Sequence, residues 1–139
     1  MAKDIYHDTV KTALIKDGWT VTDDPLTFAV GSRSAYVHLR SQTLFAAEKD
    51  RQRIALEVKS FISLSPVQDL ETALGQYLLY RGLLEESDIH GERRLYLGIR
   101  ETVYLDFFEE DIARLAVRDN NLKLLVFNVE AEEVVQWIE

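Results

Sequence analysis

Glu57 and Lys59 are the residues of this chain best placed to do chemistry. They stand two apart in an apolar run, residues 53–61, that reads as a β-strand. Side chains at i and i+2 of a strand share a face, so the carboxylate and the amine project side by side. Leu56, Val58 and Ser60 take the other face. Charge on a strand rich in Ile, Leu and Val costs free energy unless it is paired or put to use. The use that fits is metal-assisted hydrolysis: the carboxylate holds a divalent cation, and the amine orients or activates the attacking water. A bare Glu-x-Lys is more often a solvated ion pair on a strand face, so its surroundings decide the assignment.

Those surroundings form one α/β unit, taken as a single domain over 1–139. Residues 3–17 read as a helix with Ile5, Val10, Ala13 and Leu14 as its apolar stripe, ended by Asp17 and Gly18. A short strand at 19–22 stops at Asp23, Asp24 and Pro25, and Ala29 and Val30 are read as its possible extension before a turn at 31–34. Strands around 36–39 and 43–48, or one bent strand, lead through a turn at 49–52 into the strand 53–61. Ser65 as N-cap and Pro66 at the first helical position start a helix over about 66–85. Its buried side is expected to carry Val67, Leu70, Ala73, Leu74, Tyr77 and Leu78. A strand at 94–99 follows, then a helix at 102–117 with Val103, Phe107, Ile112, Leu115 and Ala116 facing in. Strands at 122–128 and 133–138 close the order α-β-β-β-α-β-α-β-β.

Composition narrows the function. The chain has no cysteine, which excludes disulfides and thiolate metal sites and fits a reducing cytoplasm. No apolar run approaches membrane-spanning length, and the polar start reads as no signal peptide. The net charge is −8, the reverse of the basic footprint of a stand-alone DNA binder. Nucleic-acid contact must then rest on a local patch, on metal ions or on a partner protein. The local basic groups are Lys49, Arg51, Arg53 and Lys59 at the hairpin, and Arg81, Arg93 and Arg94 near the end of the long helix. Phosphate contacts belong there, unless these are ordinary solvated charges.

The element order, with Glu-x-Lys on the strand before the long helix, resembles the core of the restriction-endonuclease-like PD-(D/E)XK nucleases. Gln76 and Tyr80, at i and i+4, share a helix face. The resemblance to RecB-like nucleases implies that they pack beside the metal site. The match to one family runs end to end: 1–19 (MAKDIYHDTVKTALIKDGW), 24–26 (DPL), 46–49 (AAEK), 54–61 (IALEVKSF), 73–77 (ALGQY) and 134–138 (VVQWI) resemble the XisH family, the fdxN element excision controlling factors of cyanobacteria. That resemblance implies a part in programmed excision of a DNA element during heterocyst differentiation. It implies the small companion XisI and a site-specific recombinase machinery as partners, while the net charge of −8 predicts weak DNA binding by the chain alone. A homodimer or hetero-oligomer is expected. It implies Mg²⁺ or Mn²⁺ as cofactor if the chain is an active nuclease.

A working cation site needs a second carboxylate, since a hard cation takes several oxygen ligands. With Asp50 and Arg51 as the hairpin tip, Glu57 pairs with Leu44 and Lys59 with Gln42. The expected ligand position therefore falls at 42–44, where nothing is acidic. XisH relatives tend to carry an acidic stretch where this chain reads His38, Leu39, Arg40, Ser41 and Gln42. Glu48, on the same face but roughly 13 Å toward the tip at strand rise, and Asp24 are the candidates for the second ligand. His7 and Asp8 are read as helix surface, although His7 and His38 could meet in space. Two classes follow: a metal-dependent DNA endonuclease, favoured by Glu57, Lys59 and Gln76, and a controlling factor that works through a partner, favoured by the acidic balance and the short ligand set.

Overall fold

The computed structural model describes residues 4–32, 35–40, 44–87 and 93–139. Helix α1 (His7–Lys16) ends in a left-handed glycine: Gly18 has φ 92°. The Gly18 N–H bonds the Ile15 carbonyl at 3.0 Å, and the Trp19 N–H bonds the Leu14 carbonyl at 2.9 Å. These two bonds satisfy carbonyls the helix leaves open and turn the chain into β1 (Thr20–Asp23). Strands β2 (Thr27–Ser32) and β3 (Ala35–Arg40) pair with each other as a separate two-stranded sheet. Strands β4 (Leu44–Lys49) and β5 (Gln52–Val58) form a hairpin whose tip residues Asp50 and Arg51 have φ 49° and 69°. Two successive left-handed residues match the twist of the flanking strands and set the register.

Helix α2 (Pro66–Ser87) starts as its first residues predict, with the Gln68 N–H bonding Ser65 Oγ at 3.2 Å. Strand β6 (Arg93–Arg100), helices α3 (Glu101–Asp106) and α4 (Asp111–Asn120), and strands β7 (Leu124–Asn128) and β8 (Glu133–Ile138) complete the chain. The main sheet has six strands in the order β1-β4-β5-β6-β7-β8. It is mixed: β5, β6 and β7 run parallel to one another, and the remaining pairs are antiparallel.

Helices cover both faces. Val10, Leu14 and Trp19 pack on Phe45, Leu56, Val58, Tyr96 and Phe127 on the α1 side. Leu70, Ala73 and Tyr77 pack on Leu44, Ala46, Ala55, Leu97 and Ile99 on the other. Alternate residues of β5 thus feed two different cores, so its apolar residues Ile54, Ala55, Leu56 and Val58 fall on both faces rather than alternating with polar ones.

Several expectations need correction. Ala29 and Val30 do not extend the strand at 19–22, and 36–39 does not run on into 43–48 as one bent strand: β2 and β3 pair with each other in a sheet apart from β4. The expected helix over 102–117 is two, because Phe107 and Phe108 are both buried against Phe61. Adjacent residues of one helix point about 100° apart, so the chain breaks there to send both rings inward. Ile112 and Leu115 consequently lie outside, 44% and 48% exposed, and so do Val67 and Leu78 of α2, each 37% exposed. Ile5 precedes the first helix and is exposed. Among the described residues no helix is long and apolar enough to cross a membrane.

Candidate functional site

Glu57 is found opposite Leu44 of β4 and beside Leu97 of β6. Since Leu56 and Val58 belong to the α1-side core and Ala55 to the α2-side core, Glu57 turns toward α2. Only 2% of it is exposed. Lys59 is half-buried one residue past the end of β5, with its N–H on the Gly98 carbonyl at 3.1 Å, so the strand expected over 53–61 ends at Val58. The chain beyond it is tied down. The Ser60 N–H bonds Asp4 Oδ2 at 2.8 Å, and Arg100 Nε donates to the Ser60 carbonyl at 3.1 Å. Phe61 sits at φ 54°, a conformation costly for a phenylalanine, and its ring is locked against Phe107 and Phe108. Glu57 and Lys59 are therefore carried on a rigid strand end rather than a loose loop.

Helix α2 supplies the layer above. Gln76 is half-buried between Ala73 and Tyr77, which pack in the same core as the neighbours of Glu57. Tyr80 stacks on Phe28 of β2, ring centroids 6.4 Å apart, and so joins α2 to the small sheet. Tyr77 does more than fill space. Its hydroxyl donates to the Leu95 carbonyl at 2.8 Å and accepts the Lys123 N–H at 3.1 Å, which ties α2 to β6 and to the start of β7. Burial pushes its phenol pKa up.

Neither candidate second carboxylate joins Glu57. Glu48 pairs in register with Arg53, and the two form an exposed ion pair at 3.7 Å. The β4–β5 ladder runs without a bulge. Glu48 thus stays four residues along β4 from Leu44, roughly 13 Å at strand rise. Asp24 faces α1. Its carboxylate accepts His7 Nε2 at 3.0 Å and Lys11 Nζ at 2.6 Å. Desolvation opposes the charged carboxylate, but the hydrogen bonds and charges of Lys11 and His7 outweigh it and hold Asp24 below its ordinary pKa.

His7 corrects the expectation of a surface residue. It is 1% exposed, and its ring meets Phe45 edge-on at 4.9 Å. A carboxylate only accepts, so Nε2 carries the proton; Nδ1 is buried without a hydrogen-bond partner among the described residues. The signal was present in the spacing. His7, Val10 and Leu14 stand at i, i+3 and i+7, the buried stripe of α1. Gln42 and the side chain of His38 lie outside the described residues.

The donor set does not fit a divalent cation as it stands. Such an ion needs oxygens that converge, whereas Glu57 and Asp24 turn to opposite sides of the sheet. Among the described residues no three of His, Asp and Glu gather as ligands.

A mixed six-stranded sheet between helical layers, with a buried strand carboxylate and a lysine two residues on, defines the class of protein. The chain belongs to the XisH family, whose sequence model, described as XisH protein, matches residues 1–135. The crystal structure of an XisH family protein from Nostoc punctiforme PCC 73102 is 42% identical in sequence. It aligns with a TM-score of 0.86 over 98% of this chain and 100% of that one. The crystal structure of an fdxN element excision controlling factor protein from Anabaena variabilis is 44% identical, with a TM-score of 0.85 over 98% of this chain and 99% of that one. No protein of curated function matches.

Proposed function

We propose that this protein is a controlling factor for the excision of a DNA element. It works through nucleic acid and a partner protein of the XisI kind, on a restriction-endonuclease-like PD-(D/E)XK scaffold that does not itself cleave DNA. Family membership and the name of the Anabaena variabilis relative support the excision role. The observation that carries the non-cleaving reading is the commitment of Asp24 to His7 and Lys11 on the α1 side, away from the α2-side core that Glu57 faces. His7 is buried, so losing Asp24 would leave a buried ring nitrogen without its partner, which is costly.

One observation favours the alternative, an active metal-dependent endonuclease. Glu57 is buried near the end of β5 and Lys59 follows it two residues on, with half-buried Gln76 on α2 beside Ala73 and Tyr77 of the core that Glu57 faces. The test is incubation of the purified protein with supercoiled plasmid and with single-stranded DNA in Mg²⁺ or Mn²⁺, with and without the partner. The expected result is intact DNA throughout and stable co-purification with the partner. Cleavage that disappears in Glu57→Ala and in Lys59→Ala would replace the non-cleaving reading with the alternative.

A further inference from the structure

The end of the sheet away from Glu57 carries a cleft with no part in the reading above. The chain contains two tryptophans, and both line this cleft of about 390 Å³, together with Tyr96. Helix α1 ends at this end of the sheet: its C-cap residue Asp17 lines the cleft and its carbonyl accepts Lys49 Nζ. The rings close the core beyond it. Trp137 lies 5.5 Å from Trp19 and 4.9 Å from Tyr96, centroid to centroid. Trp19 and Tyr96 are buried, and Trp137 keeps part of its ring open. It is an aromatic surface on a rigid backing.

An adjoining hollow of about 790 Å³ shares Lys49, Arg53 and Arg94 with the cleft and adds Arg51 from the hairpin tip. Four cations line that hollow against Glu48 and Asp50, on a chain whose net charge is −8. Arg51 makes no ion pair among the described residues. Arg53 and Arg94 are held by exposed pairs to Glu48 at 3.7 Å and Glu139 at 3.1 Å. Exposed pairs of this kind contribute about 0–1 kcal/mol, so an arriving phosphate can compete with Glu139 for the Arg94 guanidinium. Asp17, Asp50 and Glu139 also line the cleft and oppose an anion, which sets the affinity low.

We infer that this cleft binds a segment of single-stranded nucleic acid, with one base stacked on Trp137 and the flanking phosphates on Arg51, Lys49 and Arg94. A duplex hides its base faces in the stack, whereas an unpaired base offers one to an aromatic ring. The inference rests on the excision reading for the choice of ligand and on the cleft alone for its place.

Intrinsic fluorescence reads the site without a label, because both tryptophans are in it. An oligothymidylate of about 12 nucleotides, within known site sizes, is titrated into the full chain at low salt. Quenching that saturates on the order of micromolar and weakens with salt is expected. With a dye-labelled oligothymidylate read by polarisation, Trp137→Leu should weaken binding about tenfold. Arg51→Gln, a surface change at the turn, should weaken it and lower the salt slope by about one. Arg118→Gln, on the outer face of α4, should leave it unchanged. Absence of quenching, or equal affinity in Trp137→Leu and Arg51→Gln, overturns the site. DNA association of the partner complex that persists in both variants overturns it too, while the proposed function stands. Cleft binding in a protein that plays no part in excision overturns the proposed function and leaves this site.

Discussion

His7 Nε2 lies 3.0 Å from a carboxylate oxygen of Asp24, 17 residues along the chain, and Lys11 reaches the other oxygen from the next turn of α1. Residues four apart share a helix face. One helix therefore clamps the segment where the chain leaves β1, and it does so from the side of the sheet opposite Glu57.

Removing that clamp should cost stability and move with pH. Asp24→Asn keeps the shape and loses the charge, and the loss of charge-assisted bonds is expected to cost about 1.5–3 kcal/mol in urea unfolding. The folded pKa of Asp24 lies below its ordinary value. Its contribution is therefore complete above the unfolded value, about 3.9, and fades as pH falls through the lower folded one. The wild type should lose stability across that acidic window more steeply than Asp24→Asn. Parallel curves would show that the pair is not coupled to folding.

Tyr77 is predicted to be a structural tie rather than a reactive group. Tyr77→Phe keeps the buried ring but leaves the Lys123 N–H and the Leu95 carbonyl without the hydroxyl between them. A loss of about 1–3 kcal/mol is expected, with an unchanged far-ultraviolet circular dichroism spectrum. A neutral outcome would mean that water replaces the hydroxyl at no cost.

Gly75 and Gly82 lie on the exposed face of α2, and a Cβ at either would meet nothing within 4 Å. Glycine inside a helix costs about 0.5–1 kcal/mol relative to alanine. Gly75→Ala and Gly82→Ala should each raise the denaturation midpoint by that increment, and together by the sum, since such sites are independent. A drop in the midpoint would reveal a need for glycine that the monomer does not explain.

Divalent cations should not stabilise the isolated protein. An ion present at 100 times its Kd would add about 2.7 kcal/mol to unfolding. Thermal unfolding in millimolar Mg²⁺ or Mn²⁺, compared with a chelator, is expected to show no such rise, and Glu57→Gln should behave alike in both. A rise abolished by Glu57→Gln would establish a cation site and reopen the endonuclease reading.

Much of this architecture was legible in the chain because its signals are local. The hairpin tip at Asp50 and Arg51 places Leu44 opposite Glu57, and that pairing is found. Ser65 and Pro66 start α2 where their capping chemistry requires. The break between α3 and α4 was not legible, because an apolar run shows which residues seek a core but not which core is near. Ile112 and Leu115 have the spacing of a buried stripe and remain outside, while the adjacent Phe107 and Phe108 both go in.

The same division runs through the candidate site. By itself the sequence determined that Glu57 sits on a strand and that Gln76 follows on the next helix, because strand patterning and helix capping act within a few residues. Only the tertiary structure decided that Asp24 turns to α1 instead of to Glu57, that His7 is buried against it, and that Trp19 and Trp137 meet at the far end of the sheet. Those placements depend on which helix covers which face and where it stops, and packing across the whole sheet sets both.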